Sequence, residues 1–127
     1  MADATQNDNG ATVGDPTPGW FDISTPDSAR ARAFYQKMFG WSVHVLDETY
    51  SVVGAEGAPP AGGIGQAGPD SPYVGVVVYF PVPDVDAALA HAVELGGKRV
   101  MEPQSTPDGR IAAFSDPDGN TIGVMSP

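Results

Sequence analysis

Apolar and polar residues follow two rhythms along this chain, and the places where the rhythm changes mark its elements. Trp20-Phe21-Asp22-Ile23-Ser24 alternates with a period of two and predicts a strand. From residue 27 to residue 39 the apolar positions Ala31, Phe34, Tyr35 and Met38 recur at helical spacing. Asp27 or Ser28 can accept the free N–H groups at the start of this helix, and Gly40 can take the left-handed position at its end. A second helix, residues 84–95, repeats the plan with Val85, Ala88, Leu89, Ala92 and Leu95 apolar and Gly96-Gly97 closing it. Three short strands are predicted after each helix, over 41–46, 50–54 and 62–67 and then over 98–102, 110–114 and 121–125.

The two halves are copies of one plan. A shift of 57 residues lays Ile23-Ser24-Thr25-Pro26-Asp27 on Phe80-Pro81-Val82-Pro83-Asp84, Ala31 on Ala88, Met38 on Leu95, Gly40 on Gly97 and Val43 on Val100. Each copy reads βαβββ, so the predicted class is α+β, with a single domain over 18–127 built from modules at about 18–68 and 73–127. The Gly/Pro/Ala-rich stretch 56–62 is expected to be a mobile loop, and Gly68-Pro69-Asp70-Ser71-Pro72 the link between modules. Residues 1–17, polar and acidic with a single Val, are expected to form a disordered tail.

Composition removes several kinds of function. Sixteen acidic against six basic residues give a formal charge of −10, which repels a phosphate backbone, so nucleic acid is not an expected partner. No apolar run reaches the roughly 20 residues that cross a bilayer, and the N-terminus lacks the basic and apolar segments of a signal peptide, so a cytoplasmic protein with no membrane partner is expected. Cysteine is absent, which excludes disulfides, thiolate metal sites and cysteine nucleophiles. No Ser/His/Asp arrangement or phosphate loop is present, and Gly62-Gly63-Ile64-Gly65 reads as a strand closely approached by other groups. His91 is expected on the outer face of its helix and His44 at a rim, facing either side of its strand.

One segment is more specific. Phe114-Ser115 ends a strand, Asp116-Pro117-Asp118-Gly119 makes a tight turn, and Thr121-Ile122-Gly123-Val124-Met125 returns, forming a β-hairpin. This hairpin resembles the last one of the vicinal oxygen chelate superfamily, which holds glyoxalase I, extradiol dioxygenases and bleomycin-resistance proteins. Trp20 to Asp27, Ala33-Phe34-Tyr35 and Phe39-Gly40-Trp41 are similar to the first module of glyoxalase-like members of actinobacterial type. The resemblance covers about residues 18–126 and implies two tandem βαβββ modules whose mixed sheet curls into a cleft, assembled as a homodimer.

The resemblance also implies where a divalent ion would sit, on ligands from the first, fourth, fifth and eighth strands. Carried over, those positions fall on Trp20, on 63–66 where only Gln66 carries a donor, on Val77, and on Gly123, where relatives place a glutamate after the residue matching Ile122. Indole donates only, and valine and glycine offer nothing to a metal, so no metal cofactor is expected. The alternative is one divalent ion bound unconventionally, through Asp22 and Gln66.

If the correspondence holds, the cleft is lined by Trp20, Asp22 and Ser24, by Val77 and Tyr79, and by Thr121, Gly123 and Met125, with Gln66 nearby. Such walls suit a small aromatic or cationic organic molecule stacked on Trp20 and Tyr79, and metal-free binding of one is the expected function. Asp22, beside indole and valine, is either a general base, an anchor for a ligand amine, or a structural acceptor for Ser24, backbone N–H groups or Arg110. Trp20 is either a stacking platform or core. The other functions open to the chain are a metal-dependent lyase, isomerase or dioxygenase and a metal-free acid/base enzyme using Asp22, so whether it is an enzyme stays open.

Overall fold

A computed structural model describes residues 16–127, so all but the end of the expected tail lies outside the described residues. The elements run β1 (Trp20–Thr25), α1 (Ser28–Phe39), β2 (Ser42–Val45), β3 (Tyr50–Gly54), β4 (Gly62–Gln66), β5 (Gly75–Pro81), α2 (Val85–Glu94), β6 (Lys98–Thr106), β7 (Gly109–Ser115) and β8 (Thr121–Ser126). The class is α+β with the βαβββ plan twice. Two compact units result, Trp20–Val78 and Tyr79–Pro127, with residues 16–19 counted in the second and the boundary falling inside β5. No helix among the described residues is long and apolar enough to cross a membrane.

In the first unit the strands lie in the order β2-β3-β4-β1, with β1 and β4 parallel and the other pairs antiparallel. The period of two in β1 separates its side chains cleanly. Ile23 joins Val53 and Ile64 in a buried core against which Phe21, Ala31, Tyr35, Trp41 and Val43 pack, so this face of the sheet carries α1. Trp20, Asp22 and Ser24 take the other face. Both predicted glycine and acid signals act as expected at the helix ends: the Asp27 carboxylate accepts from the Arg30 N–H, and Gly40 adopts φ 71°.

Gln66 is also spent on this helix. Its amide nitrogen donates to the Pro26 carbonyl at 2.6 Å, and its amide oxygen accepts from the Ser28 N–H at 3.0 Å. Gln66→Ala is therefore expected to cost about 1 kcal/mol, as loss of a helix cap does, read as a lower urea midpoint at unchanged slope.

The second unit repeats the arrangement, with β5 and β8 parallel and β8-β7-β6 antiparallel. Val85, Ala88 and Leu89 of α2 pack on Ala112 and Val124. β6 is longer than its apolar pattern predicts, because the pairing with β7 shifts register between Met101 and Gln104, around Pro103, and then resumes. A proline cannot donate to the ladder, and a bulge at an edge strand accommodates it. The Asp116 carboxylate closes the β7–β8 turn by accepting from the Asp118 and Asn120 N–H groups, each at 2.9 Å, and from the Asn120 amide at 2.8 Å. Those bonds hold its pKa below the usual value.

Candidate functional site

The register of the first unit decides what stands beside Asp22. Asp22 lies opposite Gly63 of β4, and Gly63 lies opposite Val52 of β3, whose own partner on β2 is His44. Ser24 lies opposite Gly65, and Gly65 opposite Tyr50. Glycine at both β4 positions leaves the sheet surface open, and the Tyr50 ring lies across it: a Cβ added at Gly63 would run into the Tyr50 hydroxyl, and one at Gly65 would stand 3.2 Å from the ring. This is the close approach that the Gly-rich strand signalled.

The Tyr50 hydroxyl donates to one Asp22 carboxyl oxygen at 2.9 Å, and the Tyr73 hydroxyl donates to the other at 2.8 Å. The Trp20 indole N–H donates to the Tyr50 oxygen at 3.3 Å, so indole, phenol and carboxyl form one chain. Burial raises the Asp22 pKa above its ordinary value, and that effect outweighs the two tyrosine bonds, which pull it down. A carboxyl held in this way is poised to exchange a proton or to gain from a cationic partner.

Asp22 thus takes its bonds from two tyrosines, not from the Ser24, backbone or arginine donors open to it in the sequence. Arg110 is elsewhere, in an exposed two-pronged pair with Asp86 at 2.9 and 3.1 Å. His44 is exposed on the Asp22 face, but Val52 and Gly63 stand between them in the sheet. His91 is bonded to Glu94 at 3.2 Å on α2. Tyr50 and Tyr73 are not among the residues picked out from the sequence. Tyr50 was signalled only by the glycines opposite it, and Tyr73, just past the link between modules, had no local signal at all.

Val77 is buried in the first unit. Tyr79, Gly123 and Met125 belong to the second, where Tyr79 is opposite Gly123 and its buried ring covers the glycine; a Cβ there would overlap the ring atoms Cγ, Cδ2 and Cε2.

A sequence model of the Glyoxalase/Bleomycin resistance protein/Dioxygenase superfamily matches residues 17–124. The chain belongs to this superfamily. It is 30% identical to the anthracycline biosynthesis protein DnrV of Streptomyces peucetius over 126 residues, covering 84% of this chain and 46% of DnrV. It is 32% identical over 117 residues to CFP32 of Mycobacterium bovis, provisionally named a glyoxylase, covering 85% of this chain and 44% of CFP32. The chain therefore spans a little under half the length of these relatives. Among solved structures, the Mn(II)-bound glyoxalase of Novosphingobium aromaticivorans aligns with a TM-score of 0.60 at 24% identity, over 86% of this chain and 38% of that one. Homoprotocatechuate 2,3-dioxygenase of Arthrobacter globiformis aligns with a TM-score of 0.64 at 22% identity, over 86% and 35%. These likenesses establish the fold.

The residues of this superfamily member do not fit the metal that the resemblance implies. Register makes Gly63, opposite Asp22, the counterpart of Gly123, opposite Tyr79, so the fourth-strand position is Gly63 and not Gln66. Trp20 donates its only polar hydrogen to Tyr50, Val77 has no donor atom, and the two glycines are overlaid by tyrosines. An Asp22/Gln66 pair fails as well. Gln66 follows Gly63 by three residues, on the α1 side of the sheet, and its amide is consumed at the helix start. Gln66 therefore leaves the set of ligand-facing residues. Among the described residues no group of three or more His, Asp or Glu could hold a metal ion.

Proposed function

We propose that this chain binds a small aromatic organic molecule without a metal, on the Trp20/Asp22 face of the first unit. The observation that carries the reading is the Trp20–Tyr50–Asp22–Tyr73 chain, an aromatic surface with one partly desolvated carboxyl at its centre. The naming of DnrV for anthracycline biosynthesis supports it, since anthracyclines are planar aromatic molecules. Asp22 orients the ligand through a hydrogen bond or an ion pair. A second reading, metal-free proton abstraction by Asp22, is favoured by its raised pKa together with the two phenols that hold it in one orientation.

Thermal shift with a panel of aromatic acids, amines and neutral compounds tests the binding reading. Hits are expected to raise the melting temperature of the wild type by at least about 2 °C, as ligand well above its Kd does, and to lose that effect in Trp20→Ala and Asp22→Asn. Equal stabilisation of all three proteins by every hit would sink it. So would stoichiometric Ni, Zn, Fe or Mn in protein purified without chelator.

Pairing with a second copy and a place in the cytoplasm complete the proposal. Phe34, Met38 and Phe39 of α1 and Val45 and Leu46 by the β2 edge are all more than half exposed, a concentration of apolar surface suited to a partner. Light scattering at micromolar concentration is expected to give twice the chain mass, and Phe39→Glu to halve it.

A further inference from the structure

The two helices rest on their sheets differently. In the first unit the space beside α1 is filled by aromatic rings: Trp41 lies 5.4 Å from Tyr35, nearly parallel to it, 5.4 Å from Phe21 and 5.1 Å from Phe39. The 57-residue repeat sets Ala92 in the place of Tyr35, Lys98 in that of Trp41, Val78 in that of Phe21 and Gly96 in that of Phe39. In the second unit Phe114 packs on the α2 core. Beside α2 there remains an open cavity of about 480 Å³, lined by Phe80, Ala92, Leu95, Phe114, Pro117 and Ile122.

We propose that this cavity is a second ligand site, taking a neutral, flat aromatic molecule of one or two fused rings where the first unit places its own side chains. The volume lies within the range of small-molecule sites. Phe80 and Phe114 supply aromatic rings to the lining, and Ala92 stands where the repeat gives the first unit a tyrosine. The polar groups at the edge argue against a charged guest. Asp116 spends its carboxylate on the β7–β8 turn, and His91 is bonded to Glu94. A charge laid on the apolar floor would lose water without gaining a buried counter-ion. This site belongs to the second unit alone and does not depend on the Asp22 reading.

Titration of naphthalene and of indole into the methyl- and amide-labelled full chain, followed by NMR, tests it. Saturable shifts are expected at Ala88, Ala92, Leu95 and Ile122. Ala92→Tyr, which places in α2 the residue that α1 carries, is expected to keep the fold and weaken both probes by at least about tenfold, roughly 1.4 kcal/mol. If Ala92→Tyr does not fold, Leu95→Trp at the mouth is used in its place, with the same expected loss. Shifts that stay linear, shifts confined to other residues, or unchanged affinity in the filling variant would overturn the proposal. Shifts of the same four residues with protein concentration, without probe, would assign the cavity to a second copy and overturn it too.

Discussion

Gly123→Ala is expected to lower the stability of this protein by about 3 kcal/mol, and its melting temperature by roughly 10 °C. The effect comes from Tyr79. A Cβ at position 123 overlaps the Tyr79 ring at Cγ, Cδ2 and Cε2, at its root and not only at its tip, and Tyr79 is 3% exposed, so the ring has no easy way to withdraw. The same substitution made in a Tyr79→Ala background is expected to cost little, because the ring is gone, although Tyr79→Ala alone leaves a hole and is destabilising by about 3 kcal/mol. Urea unfolding of the four proteins gives the coupling term, and simple additivity would refute the account. Gly123→Glu carries the argument into function. Restoring the glutamate that metal-using relatives place here is expected to destabilise the protein as Gly123→Ala does, without conferring stoichiometric Mn or Zn, since Trp20, Gly63 and Val77 still offer no donor.

Asp22→Asn is expected to abolish binding of aromatic amines at the first-unit site while leaving the protein more stable at neutral pH, by up to about 1 kcal/mol. The sign follows from the raised pKa of Asp22 in the fold. The folded state then holds this proton more tightly than the unfolded state, so stability from this group is fully present below the unfolded value of 3.8 and is lost as pH rises through the folded value. At neutral pH the ionised, desolvated carboxyl is a cost, and asparagine removes it while keeping the shape. Asp116, whose pKa is lowered, runs the opposite way: its contribution is present above the unfolded value and lost as pH falls. Melting temperatures of wild type and Asp22→Asn between pH 3 and 8 separate the two. A fall in stability at every pH would make Asp22 a structural acceptor and remove it from the site.

Local signals in this chain were reliable where neighbours in sequence settle the matter. The helix starts at Asp27 and Asp84, the αL turn at Gly40, the Asp116 turn and the repeat itself are all interactions within a few residues, so side-chain type and spacing suffice to read them. The lack of side-chain ligand atoms at Trp20, Val77 and Gly123 was legible for the same reason, since it is a matter of residue identity alone. Gln66 misled because its identity suits a ligand, while the face it occupies depends on a strand register that loop length hides.

The tertiary structure decided what those positions hold instead. Tyr50 comes from β3, 28 residues beyond Asp22, and Tyr73 lies 51 beyond it; only the pairing of β3 with β4 and β4 with β1 brings the first of them across Gly63. The same holds for the cavity beside α2. The repeat shows that Ala92 stands where Tyr35 does, but whether that difference is repacked or left open depends on how the helix settles on its sheet. Sequence by itself determined the family, the two modules and the missing donors, because each rests on residue type or short-range order. Which groups surround Asp22, and that space remains beside α2, rests on contacts between strands and helices far apart in the chain, which only folding brings together.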